Sequence, residues 1–215
     1  MASLVLDHAI LAGPALPELV AAFTARTGVP ATPGGRHAGQ GTHNALVGLG
    51  PGRYLELLAP DPDADDGPFR ASIAYLDAPA LHTWCVRGGG ADAFEARVRA
   101  AGLAPRRVAM ARTRPDGVRL AWELVFVEGH AFGGSVPFFI DWGGSAHPSG
   151  ALGAPLDWRS LRLEHPDAAR LAALLGALGG VPDGVRVEPG TAPRLVAAWR
   201  GPGGDDVWDG RGGPA

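Results

Sequence analysis

Residues 37–56 read H-A-G-Q-G-T-H-N-A-L-V-G-L-G-P-G-R-Y-L-E. The stretch predicts a glycine-rich loop, a strand over Asn44 to Leu49, a tight turn at Gly50-Pro51-Gly52 and a partner strand over Arg53 to Leu58. In the partner strand Tyr54, Glu56 and Leu58 share one face, and Leu55 and Leu57 share the other. A carboxylate set mid-strand between leucines is costly unless it is solvated, paired or metal-bound. The hairpin therefore predicts a sheet face turned toward a ligand or a wet cavity, or a Glu56 paired with an arginine such as Arg119.

Before this hairpin, residues 3–12 alternate as a strand. Leu4, Leu6, His8 and Ile10 fall on one face; Val5, Asp7, Ala9 and Leu11 fall on the other. Gly13-Pro14 ends it. Pro17-Glu18 opens a helix to about Thr27, with Pro in the first turn and the acid at the positive dipole end. Leu16, Leu19, Val20 and Phe23 form its apolar stripe, and Gly28 is the expected stop. Pro30 to Gly41 reads as a loop too rich in glycine for a regular element.

Beyond the hairpin the same order recurs. Leu81 to Val86 reads as a strand, Ala91 to Ala101 as a helix, and Val108 to Thr113 and Gly117 to Val127 as strands around the turn Arg114-Pro115-Asp116-Gly117. Val136 to Trp142 follows as a strand. A third, shorter pass holds a strand at Trp158 to Glu164, a helix from Pro166-Asp167 to near Gly179-Gly180, and strands at Val185 to Glu188 and Arg194 to Arg200. A repeated unit often buries its face against its copy. The expected fold is α+β. Two βαβββ modules (1–62 and 78–150, joined by a linker at 63–77) form a curved mixed sheet, a half-barrel around a cavity. A C-terminal βαββ half-module (151–205) and a flexible tail (206–215) complete the organisation.

Composition narrows the chemistry. The chain has 215 residues, a formal net charge of −3 and a pI of about 6.1. All 19 basic residues are arginine, so no Schiff-base lysine or P-loop lysine exists. No basic cluster suggests a nucleic-acid face. Cys85 is the sole cysteine, which excludes a disulfide framework and a cysteine-based zinc site. No segment has signal-peptide character, and no apolar run of about 18 residues could span a bilayer. The expected setting is cytoplasmic, with a small-molecule ligand as partner and a homodimer paired through the half-module as an expectation.

The opening L-D-H-A-I-L, the R-Y-L-E-L-L strand and the βαβββ units resemble the vicinal oxygen chelate superfamily of glyoxalases, extradiol dioxygenases and bleomycin-binding resistance proteins. G-G-R-H-A-G-Q-G-T-H-N-A-L (34–46), P-D-G-V-R-L-A-W-E-L (115–124) and V-P-F-F-I-D-W-G (136–143), followed by His147-Pro148, are similar to its glyoxalase-like domain branch. The resemblance implies a metal pair from the first module, His8 and Glu56, suited to Fe, Mn, Ni or Zn. The second module matches less well. Thr83 stands at the expected His position, His82 is adjacent but on the opposite face by strand alternation, and Ile140 or Asp141 stands at the fourth strand.

The resemblance further implies Glu56 and His37 as catalytic groups. Substrate contacts would come from His37, His43, Asn44, Tyr54, Trp84, Asp141 and Trp142. For Trp84 and Trp142 core packing is the competing reading. Two functions remain open: metal-assisted lyase, isomerase or dioxygenase chemistry on a small oxygenated molecule, and metal-free binding of a drug-like or aromatic molecule.

Overall fold

The computed structural model describes residues 3–113 and 119–211. The turn expected at 114–117 lies outside them.

The first module runs β1 (Val5–Ala12), α1 (Leu16–Thr27), β2 (Thr32–His37), β3 (Thr42–Gly48) and β4 (Tyr54–Pro60). A short helix α2 (Pro68–Ile73) follows within the stretch expected as a linker. The second module runs β5 (Ala80–Arg87), α3 (Ala91–Ala100), β6 (Ala104–Thr113), β7 (Arg119–Glu128) and β8 (Phe138–Asp141). Helix α4 (Ser149–Leu152) leads to a third unit of β9 (Asp157–His165), α5 (Ala168–Leu178), β10 (Val185–Pro189), β11 (Arg194–Gly201) and β12 (Gly204–Arg211).

Local chemistry sets these elements. Helix α1 carries proline in its first turn and Glu18 near its start. It ends where Gly28 takes φ 71°, and the Gly28 amide donates to the Thr24 carbonyl at 2.8 Å. Leu19 and Phe23 form its buried side.

The eight-stranded sheet has the order β2-β3-β4-β1-β5-β8-β7-β6. Within each module the first strand runs parallel to the last, and the modules join where β1 meets β5 antiparallel. The sheet curls until its edges β2 and β6 come into contact. Two apolar clusters flank it. The larger, on the helix side, holds Leu6, Leu11, Phe23, Leu57, Trp84 and Phe94. The smaller, inside the curl, holds Ile10, Leu58, Met110, Trp122, Phe138 and Ile140.

Three expectations are corrected. Pro30 to Gly41 is not all loop: Thr32–His37 pairs with β3, with an irregularity between Pro33 and Gly35 that accommodates the Pro-Gly-Gly sequence. The third unit is no half-module, because it has four strands in the order β10-β9-β11-β12. Its first strand lies between β10 and β11, unlike the first strands of the other two modules. Residues 206–211, expected in a flexible tail, belong to β12. The Asp residues of β12 are used in cross-strand pairs: Arg200 Nε meets Asp205 at 2.7 Å, and Arg194 pairs with Asp209. Trp208 packs on Phe23 at 5.9 Å between ring centres, with the Arg26 guanidinium 4.5 Å from its ring centre.

No helix among the described residues is long and apolar enough to cross a membrane.

Candidate functional site

The curl encloses a cavity of about 870 Å³ between the two modules. Most of its wall is apolar: Ile10, Leu46, Leu58, Met110, Leu124 and Ile140 alternate with the rings of Phe69, Trp122, Phe126 and Phe138. One set of polar groups sits at one pole, on β1, β2, β3 and β4; His82, Thr83, Arg106, Glu128 and His130 line other parts of the wall.

Glu56 is the centre of that pole. Strand alternation on β4 sends Tyr54, Glu56 and Leu58 inward and Leu55 and Leu57 to the helix side. Glu56 is 6% exposed. Its Oε1 accepts the Asn44 side-chain amide at 2.6 Å, and its Oε2 lies 3.5 Å from His8 Nε2. His37 Nε2 stands 3.6 Å from Oε1. Asn44 is itself oriented, because its Oδ1 accepts the Gly35 amide at 2.9 Å and so leaves Nδ2 to face Glu56. His37 Nδ1 contacts the Thr42 hydroxyl at 2.9 Å.

His8 reaches the pole through a bulge. The pairing of β1 with β5 shifts between Leu6 and His8. Leu4 and Leu6 therefore join the helix-side core with Ala9 and Leu11, while His8 and Ile10 face the cavity. The uniform alternation expected for this strand, with Leu4 and Leu6 on the face of His8, is corrected. His8 stacks on Tyr54 with ring centres 4.6 Å apart. Its Nδ1 meets Asp7 Oδ1 at 2.7 Å, so Nε2 is the nitrogen presented to Glu56.

Asp7 is fully buried and does not line the cavity. Its Oδ2 accepts Trp142 Nε1 at 3.0 Å, lies 3.1 Å from His147 Nε2, and is 3.3 Å from Arg87 Nε. Burial by itself would raise the Asp7 carboxyl, but hydrogen bonds from His147 and His8, and their charges, outweigh it and hold the group well below the ordinary carboxylate range. His147 is fixed in turn by the Ser149 hydroxyl at 2.8 Å.

A second irregularity, between Ile10 and Leu11 against Thr83 and Leu81, lets both His82 and Thr83 line the cavity. Strand alternation alone would turn His82 away. Burial pushes His82 down to about 4, so it is neutral at pH 7. Its Nδ1 meets the Tyr75 hydroxyl at 3.2 Å.

Among the residues singled out from sequence, His8, His37, Asn44, Tyr54, Glu56 and Trp142 line the cavity. Three do not. His43 lies between Thr42 and Asn44 on β3, so alternation turns it to the other face. Trp84 is buried on the helix side and donates to the Ser135 carbonyl at 3.1 Å. Asp141 accepts the Ala91 amide at 3.1 Å at the start of α3 and the Gly143 amide at 2.9 Å. Asp7, Phe69, Tyr75 and His147 were not foreseen. A proline-flanked aromatic in an acidic loop was the available signal for Phe69.

A divalent metal spanning both modules does not fit these residues. The first-module pair converges, but the Thr83 hydroxyl donates to the Gly134 carbonyl at 3.3 Å, and the β8 residues that line the cavity are Phe138 and Ile140, neither able to ligate a metal. Asp7, His8 and Cys85 form a group whose ligand atoms lie within 4.8 Å of one another. There the carboxylate is already satisfied, and burial with the nearby Asp7 and Glu56 charges pushes the Cys85 thiol up, away from the thiolate a metal needs.

A family model described as "Glyoxalase-like domain" matches residues 6–196. No curated protein matches. Among solved structures, a hypothetical protein from Staphylococcus aureus is 16% identical, with 98% of this chain and 86% of that chain covered and a TM-score of 0.65. A methylmalonyl-CoA epimerase from Streptomyces coelicolor, in complex with 2-nitronate-propionyl-CoA, is 21% identical over 59% of this chain and 86% of that chain, with a TM-score of 0.45. At 16% identity the likeness to the Staphylococcus aureus protein is one of fold.

Proposed function

The chain belongs to the glyoxalase-like domain family, and from that premise we propose that it binds a small oxygenated molecule in the inter-module cavity, with its oxygen function at the Glu56–His8 pole. The observation that carries this reading is the convergence of Glu56, His8, His37 and Asn44 on one end of a mostly apolar cavity. Bound there, a ligand would lose its hydration shell against apolar walls and exchange it for a few fixed polar contacts.

The pole supports proton transfer in particular. Glu56 is held by Asn44 through one oxygen, which leaves Oε2 toward His8 and the cavity. A carboxylate so placed can accept a proton from a bound hydroxyl or from carbon beside a carbonyl. His8, oriented by Asp7, then faces the negative charge that develops. No step needs a metal in this scheme. The approach of His8 Nε2 to Glu56 Oε2 supports a second reading, in which His8 and Glu56 would hold a divalent metal that would supply Lewis-acid stabilisation of a developing oxyanion.

Thermal-shift screening of small carbonyl and hydroxyl compounds, with metal analysis of the purified protein, tests the proposal. Hits should stabilise the wild type, with or without chelator, and lose their effect in Glu56→Gln and His8→Ala. Hits unaffected by both substitutions would refute the pole. A stoichiometric metal that chelator and His8→Ala both remove, together with the ligand effect, would favour the metal-bound reading.

A further inference from the structure

If the inter-module cavity is a small-molecule site, as proposed, the charges on its wall restrict which ligand it can take. Among the described residues, Arg106 is the sole arginine on the wall. It is committed elsewhere: its Nε meets Glu128 Oε1 at 2.5 Å, and its guanidinium lies 4.4 Å from the Phe126 ring centre. The other groups able to carry positive charge are histidines. His8 is bound to Asp7 and faces Glu56, and His37 also faces Glu56. His82 is kept neutral by burial, and burial lowers His130 as well. Any positive charge on His8 or His37 is therefore already matched by a carboxylate.

The negative side is equally spoken for. Glu56 is the carboxylate of the pole that lines the cavity, and it is engaged by the Asn44 amide and two imidazoles. Asp7 is sealed behind Trp142, His147 and Arg87. An anionic headgroup entering this cavity would shed water, gain no free cation and meet Glu56. A cationic one would have to displace imidazoles from Glu56. The rest of the wall offers rings: Phe69, Phe126 and Phe138 run in sequence, with Phe69–Phe126 centres 5.7 Å apart and Phe126–Phe138 centres 5.3 Å apart. Trp122 and Trp142 adjoin at 5.5 Å.

We infer that the ligand is uncharged and ring-bearing, offering a hydroxyl or similar donor to Glu56, and that carboxylates and phosphates, phosphate monoesters included, are excluded. The cavity volume is ample for a bicyclic molecule.

Three isosteric probes test this: naphthol, naphthoate and naphthylmethylammonium, titrated against the full chain at neutral pH with tryptophan fluorescence as readout. Naphthol should bind tightest, with naphthoate weaker by at least about tenfold. Glu56→Gln should narrow the gap between naphthol and naphthoate. Naphthoate or the ammonium binding as tightly as naphthol would overturn the inference while leaving the cavity as a ligand site, and so would a gap unchanged in Glu56→Gln. If none of the three binds, the cavity reading itself fails, and the inference with it.

Discussion

At the scale of single residues, Asp7 carries the largest charge consequence. Its carboxyl is buried against His8, His147, Trp142 and Arg87, and its proton affinity is depressed in the folded state. A depressed carboxyl contributes stability that is full above its ordinary value of 3.8 and is lost as pH falls from there toward the folded value. Asp7→Asn should cost about 3–5 kcal/mol near neutral pH, because it leaves the buried partners of Asp7 without their charge. It should also flatten the acid limb of the stability curve below about pH 4. Urea denaturation across pH checks both. His82 makes the complementary case. Its folded midpoint near 4 means that the unfolded chain takes up a proton first as pH falls below 6.5, so the folded state loses stability through that window. An NMR titration should place the His82 midpoint near 4; a midpoint above about 6 would show that water reaches the ring.

At the scale of elements, the irregularities in β1 and β5 matter more than the strands' lengths. Alternation on β4 was legible in Y-L-E-L-L, and the inward set of Tyr54, Glu56 and Leu58 follows from it. Alternation on β1 was not fully legible, because a bulge leaves no mark in residue type. The shift between Leu6 and His8 is a property of pairing with β5, two modules' worth of chain meeting. The same limit hid His82, which a second shift brings to the cavity. The last strand was missed for another reason. Gly and Asp count against a strand in isolation, yet β12 pairs its Asp residues with arginines on β11. Its Gly210 sits where an added Cβ would overlap the backbone of Leu81 on β5. Gly210→Val should therefore push β12 off the central sheet and cost about 3 kcal/mol, measured by thermal or urea unfolding. A neutral effect would mean that the third sheet docks loosely.

At the scale of the whole molecule, the repeat of βαβββ order was enough to foresee a curled sheet and its cavity. The third unit was foreseen only as a fragment. Its four strands back the helix side, where Trp199 and Trp208 pack on Phe23. The curled sheet is thus braced from outside, and its inner face is left hollow. Glu56, His8, His37 and Asn44 meet at one end of that hollow. The distance between His8 and Glu56 depends on two strands held in parallel register by the same sheet that joins the modules. The most direct test is a crystal structure of the protein soaked with naphthol. The ring should lie between the Phe126–Phe138 and Trp122–Trp142 walls, with the hydroxyl within hydrogen-bond distance of Glu56. A collapsed cavity, or a ring bound with its hydroxyl away from Glu56, would contradict the account.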